Sequence, residues 1–260
     1  MTLDGVPAAV LGRRWGVPTC RVLSSVGSVL DVVHDLGAAG APAGSVVVAV
    51  EQTAGRGREG RTWFSPEGGA WIAVLLRPIG GTGGTGAGAA GGPMGTVSIR
   101  AGLIVADVVD DLVGAPEARL KWPNDVLLRD RKLAGVLCEG RWHGEELQWL
   151  AVGLGVNVAN AIPAALHATA ITLAERLPGI RPLHVLDRLV PPVARLGAPT
   201  SRLSEQECTA FAARDWLRDR ALLRPIAGRG AGVRDDGALL VAVAGALAVV
   251  REGHVETSAS

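Results

Sequence analysis

Three strand-forming runs, Arg119 to Leu128, Lys132 to Glu139 and Leu147 to Val158, follow one another with only short turns between them. Arg129-Asp130-Arg131 separates the first two and reads as a hairpin turn, and Arg141 to Glu146 joins the second to the third. Upstream, Val46 to Val50 is an unbroken β-branched run, the pattern of a central strand buried on both faces. Ala70 to Leu76 is another, ended by Arg77-Pro78, and Arg21 to Val26 is the first strand candidate. Between these runs, Ile99, Leu103, Val105, Ala106, Val109 and Leu112 recur at helical spacing, so Thr96 to Leu112 is expected to be an amphipathic helix lying on a sheet. Further helical stretches are expected near 170–177, 182–196 and 204–217. From Arg220 the pattern changes to short strands with glycine turns, notably Asp235-Asp236-Gly237 before a run ending at Val250. The expectation from pattern alone is a chain of strands alternating with helices, followed from Arg220 by a small all-β unit. The low-complexity segment GGTGGTGAGAAGG, 80–92, has nothing to pack and reads as a surface loop.

Charge narrows the function. The 26 basic and 25 acidic residues nearly cancel, whereas a nucleic-acid binder shows a basic excess. Cys20, Cys138 and Cys208 are odd in number and form no CxxC pair, which fits a reducing compartment and offers neither a disulfide framework nor a zinc site. No basic n-region with an apolar core opens the chain, and Ala238 to Val250, broken by Gly245, is too short to span a bilayer and fits a buried hairpin. A cytoplasmic protein acting away from membranes is expected.

Two motifs carry chemistry. Only two of the 26 basic residues are lysines, Lys121 and Lys132, and both fall in the segment LKWPNDVLLRDRKLAG. In a chain that otherwise uses arginine, retained lysines suggest tasks needing a compact ammonium instead of a broad guanidinium fork. Gly55-Arg56-Gly57-Arg58-Glu59-Gly60-Arg61 is the second motif. Its glycines let the backbone approach a ligand and present amides to anions, while its arginines offer forks for phosphate or carboxylate oxygens. No Gly-Lys-Ser/Thr follows, so it is not a triphosphate-binding P-loop. If Arg129 to Arg131 makes a hairpin, the KWPND segment and Lys132 lie side by side, and Gly135 would let a flat ligand rest against the backbone. Trp122 fits core packing and the site equally well.

Taken in order, EQTAGRGREGRTWFSPEGGAWIAVLLRP, LKWPNDVLLRDRKLAGVLCEG and AVGLGVNV resemble the bacterial biotin protein ligases, the biotin–[acetyl-CoA-carboxylase] ligases, over roughly residues 20 to 255. The resemblance implies an α+β fold: a biotin/lipoate ligase-like catalytic domain, a mixed β-sheet flanked by helices, over residues 1–218, followed by a small SH3-like β-barrel over 219–260. It implies ATP and biotin as substrates with Mg²⁺, biotinyl-5′-AMP as intermediate and a biotin carboxyl carrier protein as acceptor, and it is compatible with a homodimer. By the same resemblance Gln52, Gly55, Arg56, Gly57, Arg58, Lys132 and Gly135 belong to the biotin site. Arg56, Arg58, Arg61, Trp63, Asn124, Lys132 and Asn157 belong to the adenylate site. Lys132, Arg58 and Asp125 are its catalytic candidates, Arg58 as the residue retaining the adenylate and Asp125 also as the candidate for assisting Mg²⁺.

The chain departs from the family pattern at one place. Where the family has Ser-Thr-Asn opening its first helix, this sequence has Ser28-Val29-Leu30. Ser28 can still cap the helix and donate to the biotin ureido group, but a hydroxyl and an amide are lost, at about 1–3 kcal/mol per missing contact. That departure motivates two other readings, a ligase for another small carboxylic acid such as lipoate and a non-catalytic paralogue binding an acyl-adenylate or carrier protein. Fewer than 25 residues precede Arg21 to Val26, so the resemblance is to the short class without an N-terminal DNA-binding domain.

Overall fold

The computed structural model describes residues 1–78 and 93–258, and the glycine-rich segment 80–92 lies outside the described residues. A short hairpin, β1 (Thr2–Leu3) and β2 (Val6–Pro7), leads into α1 (Ala8–Trp15), β3 (Cys20–Val26), α2 (Val29–Ala38), β4 (Val46–Gln52) and β5 (Ala70–Leu76). After α3 (Pro93–Val113) come β6 (Ala118–Lys121), β7 (Asp125–Leu128), β8 (Arg131–His143) and β9 (Glu146–Val156). The helices α4 (Pro182–Ala194) and α5 (Glu205–Arg214) precede β10 (Ala221–Arg224), β11 (Gly228–Val233), β12 (Leu239–Val243), β13 (Ala246–Val250) and β14 (Glu256–Thr257).

The central sheet has seven strands in the order β3-β4-β5-β9-β8-β7-β6. It is mixed because β3 and β4 run parallel, joined by α2 as crossover, while every other pair is antiparallel. Both faces are covered, which explains the fully apolar β5. Alternate residues such as Val46, Val48, Ile72 and Val74 pack with α1, α3 and α4. Their neighbours Val47, Ala49, Ala73, Leu75 and Ala151 pack with Val29, Leu30, Val33 and Leu36 of α2. A ten-residue helix is shorter than the sheet is wide, so part of the second face is left open, and a cleft lies there.

The structure corrects four expectations. Arg119 to Leu128 is not one strand: the chain reverses at Trp122-Pro123-Asn124, and β6 pairs antiparallel with β7. Proline has no N–H for the ladder, and the buried Trp122 ring turns away to donate from Nε1 to Gly237 O at 2.8 Å. The stretch near 170–177 makes only a 3₁₀ turn, Leu173–Glu175, closed at its N-terminus by Thr172 N donating to Glu175 Oε1 at 3.2 Å. The Ala238 to Val250 hairpin is buried on β12 through Leu239 and Val241, but Leu247 and Val249 of β13 face solvent. The helix that opens at Ser28-Val29-Leu30 is the second of the chain, because α1 precedes it.

The C-terminal sheet is antiparallel with strand order β13-β12-β11-β10-β14. It is consistent with an SH3-like unit, yet among the described residues β13 and β14 stand at its two ends without pairing into a closed barrel. The Arg129–Arg131 hairpin forms as expected: Leu128 pairs with Arg131, and Arg129 and Asp130 both adopt positive φ, 52° and 60°, as a two-residue type I′ connection requires. Among the described residues no helix is long and apolar enough to cross a membrane.

Candidate active site

A cleft of about 520 Å³ opens where α2 leaves the sheet uncovered, a size usual for small-molecule sites. All the predicted site residues line it except Gly55, which sits behind the wall. Its floor is β8 and β9. Gly135 pairs with Gly155 and Leu137 with Gly153, and all four side-chain positions fall on the face of Ala151, the α2 face.

Those glycines make room for protein side chains. A Cβ on Gly155 would stand 2.5 Å from Trp63 Nε1, and one on Gly135 would stand 3.1 Å from the same ring. A flat group already rests against Gly135, the ring of Trp63. Leu30 uses Gly153 in the same way: a Cβ there would stand 3.0 Å from its Cδ2. The Trp63 indole N–H is buried with no hydrogen-bond partner among the described residues.

Lys132 stands above this floor. Its Nζ is 4.9 Å from the Trp63 ring centroid, within cation–π range, and 2.7 Å from Asp125 Oδ1. Asp125 comes from β7, where it pairs with Gly135, so the hairpin register brings the two charges together. Asn124, at the preceding turn, donates from Nδ2 to Val136 O (2.8 Å) while its own carbonyl accepts from Val136 N (2.9 Å), which fastens the KWPND turn to β8. Lys121, also on the wall, stacks 5.3 Å from the Trp216 ring. Burial lowers its pKa, with Asp125 opposing that shift.

The glycine-arginine segment forms an arm over the cleft. Bridges between Gln52 and Ser65 and between Arg56 and Thr62 pair its two limbs, and Trp63 N donates to Gly55 O at 2.8 Å. Gly55 is needed for close approach: a Cβ there would lie 2.4 Å from Trp63 O. The tip is a 3₁₀ turn, Arg58–Gly60, with Glu59 at φ 57°. Arg61 folds back, donating from Nε to Arg58 O at 3.2 Å. Among the described residues Arg58 makes no side-chain hydrogen bond or ion pair, so its guanidinium is available to a ligand in the cleft. Arg56 instead meets two carboxylates, Asp31 Oδ1 at 2.8 Å and both oxygens of Glu139 at 3.2 and 3.1 Å. Glu139 is held below the ordinary carboxylate range, first by its hydrogen bond to His34 and then, against the opposing effect of burial, by Arg56.

At the far end, Ser28 caps α2, accepting from Leu30 N at 3.3 Å. Gln52 Oε1 accepts from Val29 N at 2.9 Å and its Nε2 donates to Ser65 Oγ at 2.9 Å. Gln52 thus braces both the helix N-terminus and the root of the arm. Val29 and Leu30 present apolar surface to the same end. Buried Asn157 accepts at Oδ1 from Asn160 Nδ2, 3.2 Å away.

Sequence reasoning missed part of the wall. Asn160 lies three positions past Asn157 and could have been found from that repeat of an amide beside the GVNV motif. Trp216 and His254 come from beyond the three motifs, and nothing local in the sequence marks them. No group of three His, Cys, Asp or Glu side chains able to hold a metal occurs among the described residues.

The chain matches the model of the biotin/lipoate A/B protein ligase family over residues 26–157. It is 37% identical over 159 residues to the biotin–[acetyl-CoA-carboxylase] ligase of Paracoccus denitrificans, covering 57% of this chain and 61% of that protein. It is 35% identical over 139 residues to the enzyme of the same description from Mycobacterium tuberculosis, covering 51% of this chain and 46% of that one. The matched portion is thus less than two thirds of the length of these curated relatives. Among solved structures, the biotin protein ligase of Aquifex aeolicus in complex with biotin and ATP superposes with a TM-score of 0.72 at 24% identity, over 92% of this chain and 98% of that one. This likeness establishes a shared fold.

Proposed function

Because the chain belongs to the biotin/lipoate A/B protein ligase family, we propose that it is an ATP-dependent biotin protein ligase. In the first half-reaction a carboxylate oxygen of biotin attacks the α-phosphorus of ATP, giving biotinyl-5′-AMP and expelling pyrophosphate. In the second, the neutral amine of one lysine on a biotin carboxyl carrier protein attacks the acyl carbon, AMP leaves and the amine gives up a proton. Both steps bring together or release anions, so the protein's part is fixed positive charge and positioning.

The observation that carries this reading is the placement of Lys132. Its ammonium is held in the cleft by Asp125 and the Trp63 face, where it can meet both the biotin carboxylate and the α-phosphate. Arg58, at the tip of the arm, supplies a second cation that closes over the intermediate and keeps it from escaping. Arg56 and Gly57 carry the arm, and Arg61 with Trp63 borders the nucleotide. Asn124, Asn157 and the buried Trp63 N–H add polar edges. Ser28, Val29, Leu30, Gln52 and Gly135 shape the biotin end. Mg²⁺ enters as the counter-ion of ATP: one carboxylate plus substrate phosphates suffices for that ion, and Lys132 already occupies one Asp125 oxygen. In this reading residues 1–218 are the catalytic unit, 219–260 add His254 to the wall, and the reaction takes place in the cytoplasm.

Purified protein mixed with biotin and MgATP without acceptor should yield biotinyl-5′-AMP by mass spectrometry in at least stoichiometric amount. Folded protein that forms none would end the proposal. A second reading, activation of a less polar acid such as lipoate, is favoured by the apolar Val29–Leu30 surface, and the same assay run with lipoate decides between them.

A further inference from the structure

The chain's second lysine, Lys121, ends β6 on the wall of the cleft, and among the described residues its ammonium makes no hydrogen bond or ion pair. Strand register places it. Lys121 pairs with Asp125, and Asp125 with Gly135, so the three positions form one row on the cleft face. Lys121 therefore lies one strand, about 4.8 Å, beyond Asp125 and nearer the edge of the sheet. What holds it is an indole. The chain after α5 docks on the edge of β6: Leu120 bridges Asp215 in parallel, and Trp216 N donates to Leu120 O at 2.9 Å. That bridge sets the Trp216 ring centroid 5.3 Å from Lys121 Nζ, while Arg220 covers the ring at 4.0 Å. Trp216 Nε1 also donates to Asp130 Oδ1 at 2.6 Å, which fixes the ring from the β7–β8 turn. Burial first, and then Lys132 and Arg61, disfavour the Lys121 charge, and Asp125 favours it. The two carboxylates that line the cleft are both engaged, Asp125 by Lys132 and Asp130 by Trp216, against five lysine and arginine side chains. A half-buried cation left over in that balance calls for an anion.

We propose that Lys121 is a further catalytic residue, the seat of the departing pyrophosphate, and that Trp216 is the positioning residue that holds its ammonium there. The assignment rests on the biotin-ligase reading. As the biotin carboxylate oxygen bonds to the α-phosphorus near Lys132, the bond from that phosphorus to its bridging oxygen breaks. The electron pair of the broken bond leaves with pyrophosphate. The β- and γ-phosphates run from Lys132 toward the sheet edge, and Lys121 meets the charge that gathers on them. An ammonium backed on one side by an indole face keeps its other side open to phosphate oxygens.

Inorganic pyrophosphate titrated into the full-length protein in a calorimeter, without biotin or ATP, tests this directly. The parent should bind it, and Lys121→Met should bind it about tenfold more weakly, the loss expected for one charged hydrogen bond. Trp216→Leu should weaken binding about three- to fivefold, whereas Trp216→Phe, which keeps a ring face for the ammonium but no N–H for Asp130, should restore it. Lys121→Gln serves as a second variant without the charge, and thermal melts show which variants are folded. In adenylate formation Lys121→Met and Trp216→Leu should raise the KM for ATP and relieve inhibition by added pyrophosphate, with the KM for biotin within about twofold. A merely structural role would move both KM values together. The proposal is overturned if the parent binds no pyrophosphate, if both Lys121 variants bind it like the parent, or if Trp216→Phe is as weak as Trp216→Leu. The titration needs no chemistry, so pyrophosphate held through Lys121 in a protein that forms no adenylate would sink the ligase reading and leave this subsite standing.

Discussion

The floor and the arm of the cleft are held in different ways. On the floor, Lys132 and Asp125 sit on strands whose backbone ladders continue into a buried core, and Asn124 is fastened by reciprocal bonds to Val136. On the arm, Arg56 and Arg58 hang from two short limbs and a few partly exposed ion pairs. Rigidity follows the task of each cation. One that must meet reacting atoms is built into a sheet, and one that must admit and then enclose a substrate rides on a segment that opens at small cost.

Lys132 separates the two regions most sharply. Lys132→Ala should lower the rate of adenylate formation by about 10²–10³-fold, measured by pyrophosphate release, with the melting temperature nearly unchanged; equal rates would move the chemistry off the floor. On the arm, Arg58→Gly should instead leave the fold intact and release adenylate, seen as biotin label on bystander proteins. Label confined to the carrier would deny Arg58 its retaining role. Next in size is Gly155→Ala. Its methyl would overlap the Trp63 indole, so either ring or strand must shift, at about 1–3 kcal/mol, read as a lower urea midpoint. Val29→Thr probes the biotin end of the cleft, at the start of α2: a hydroxyl restored to nearly the same shape should tighten biotin about tenfold in calorimetry, and no change would show that the ureido group is bound elsewhere.

The smallest effect lies away from the cleft, at Glu207, which meets Arg100 at 2.6 Å and caps α5 with Ser204. Burial raises its pKa, but the Arg100 and Ser204 bonds outweigh this and the net shift is downward. A carboxylate lowered on folding contributes stability that is complete above the unfolded glutamate value, about 4.3, and is lost as pH falls through the folded value. The stability difference between the parent chain and Glu207→Gln should therefore be constant near neutrality and shrink in acid, as followed by urea unfolding across pH.

Much of this molecule is legible in the sequence where local pattern and position agree. The unbroken run at Val46–Val50, the Arg129–Arg131 turn and the helical spacing of Ile99, Leu103 and Val109 each depend on near neighbours, and each forms the element it signals. The three motifs converge on one cleft for the same reason: they end strands or begin turns at one region of the sheet. What stays hidden depends on register. That Gly135 lies opposite Gly155, and that Trp63 fills the slot between them, follows from a pairing no short window contains. The Arg56–Glu139 and Trp149–His34 contacts join positions separated by 83 and 115 residues. Local sequence leaves Trp122 between core and site, and only its distant neighbours make it core.

That buried indole has a consequence for anyone who would treat the C-terminal sheet as a detachable module. Trp122 opens the KWPND turn, and the carbonyl that accepts its N–H, that of Gly237, belongs to the Asp235–Gly237 turn of the other sheet. The turn that carries Asn124 and Asp125 therefore leans on its neighbour: cut at residue 218, the chain would keep every motif residue and lose the prop behind them. Exchanging C-terminal segments among relatives would succeed only where the incoming turn offers a carbonyl at the same place.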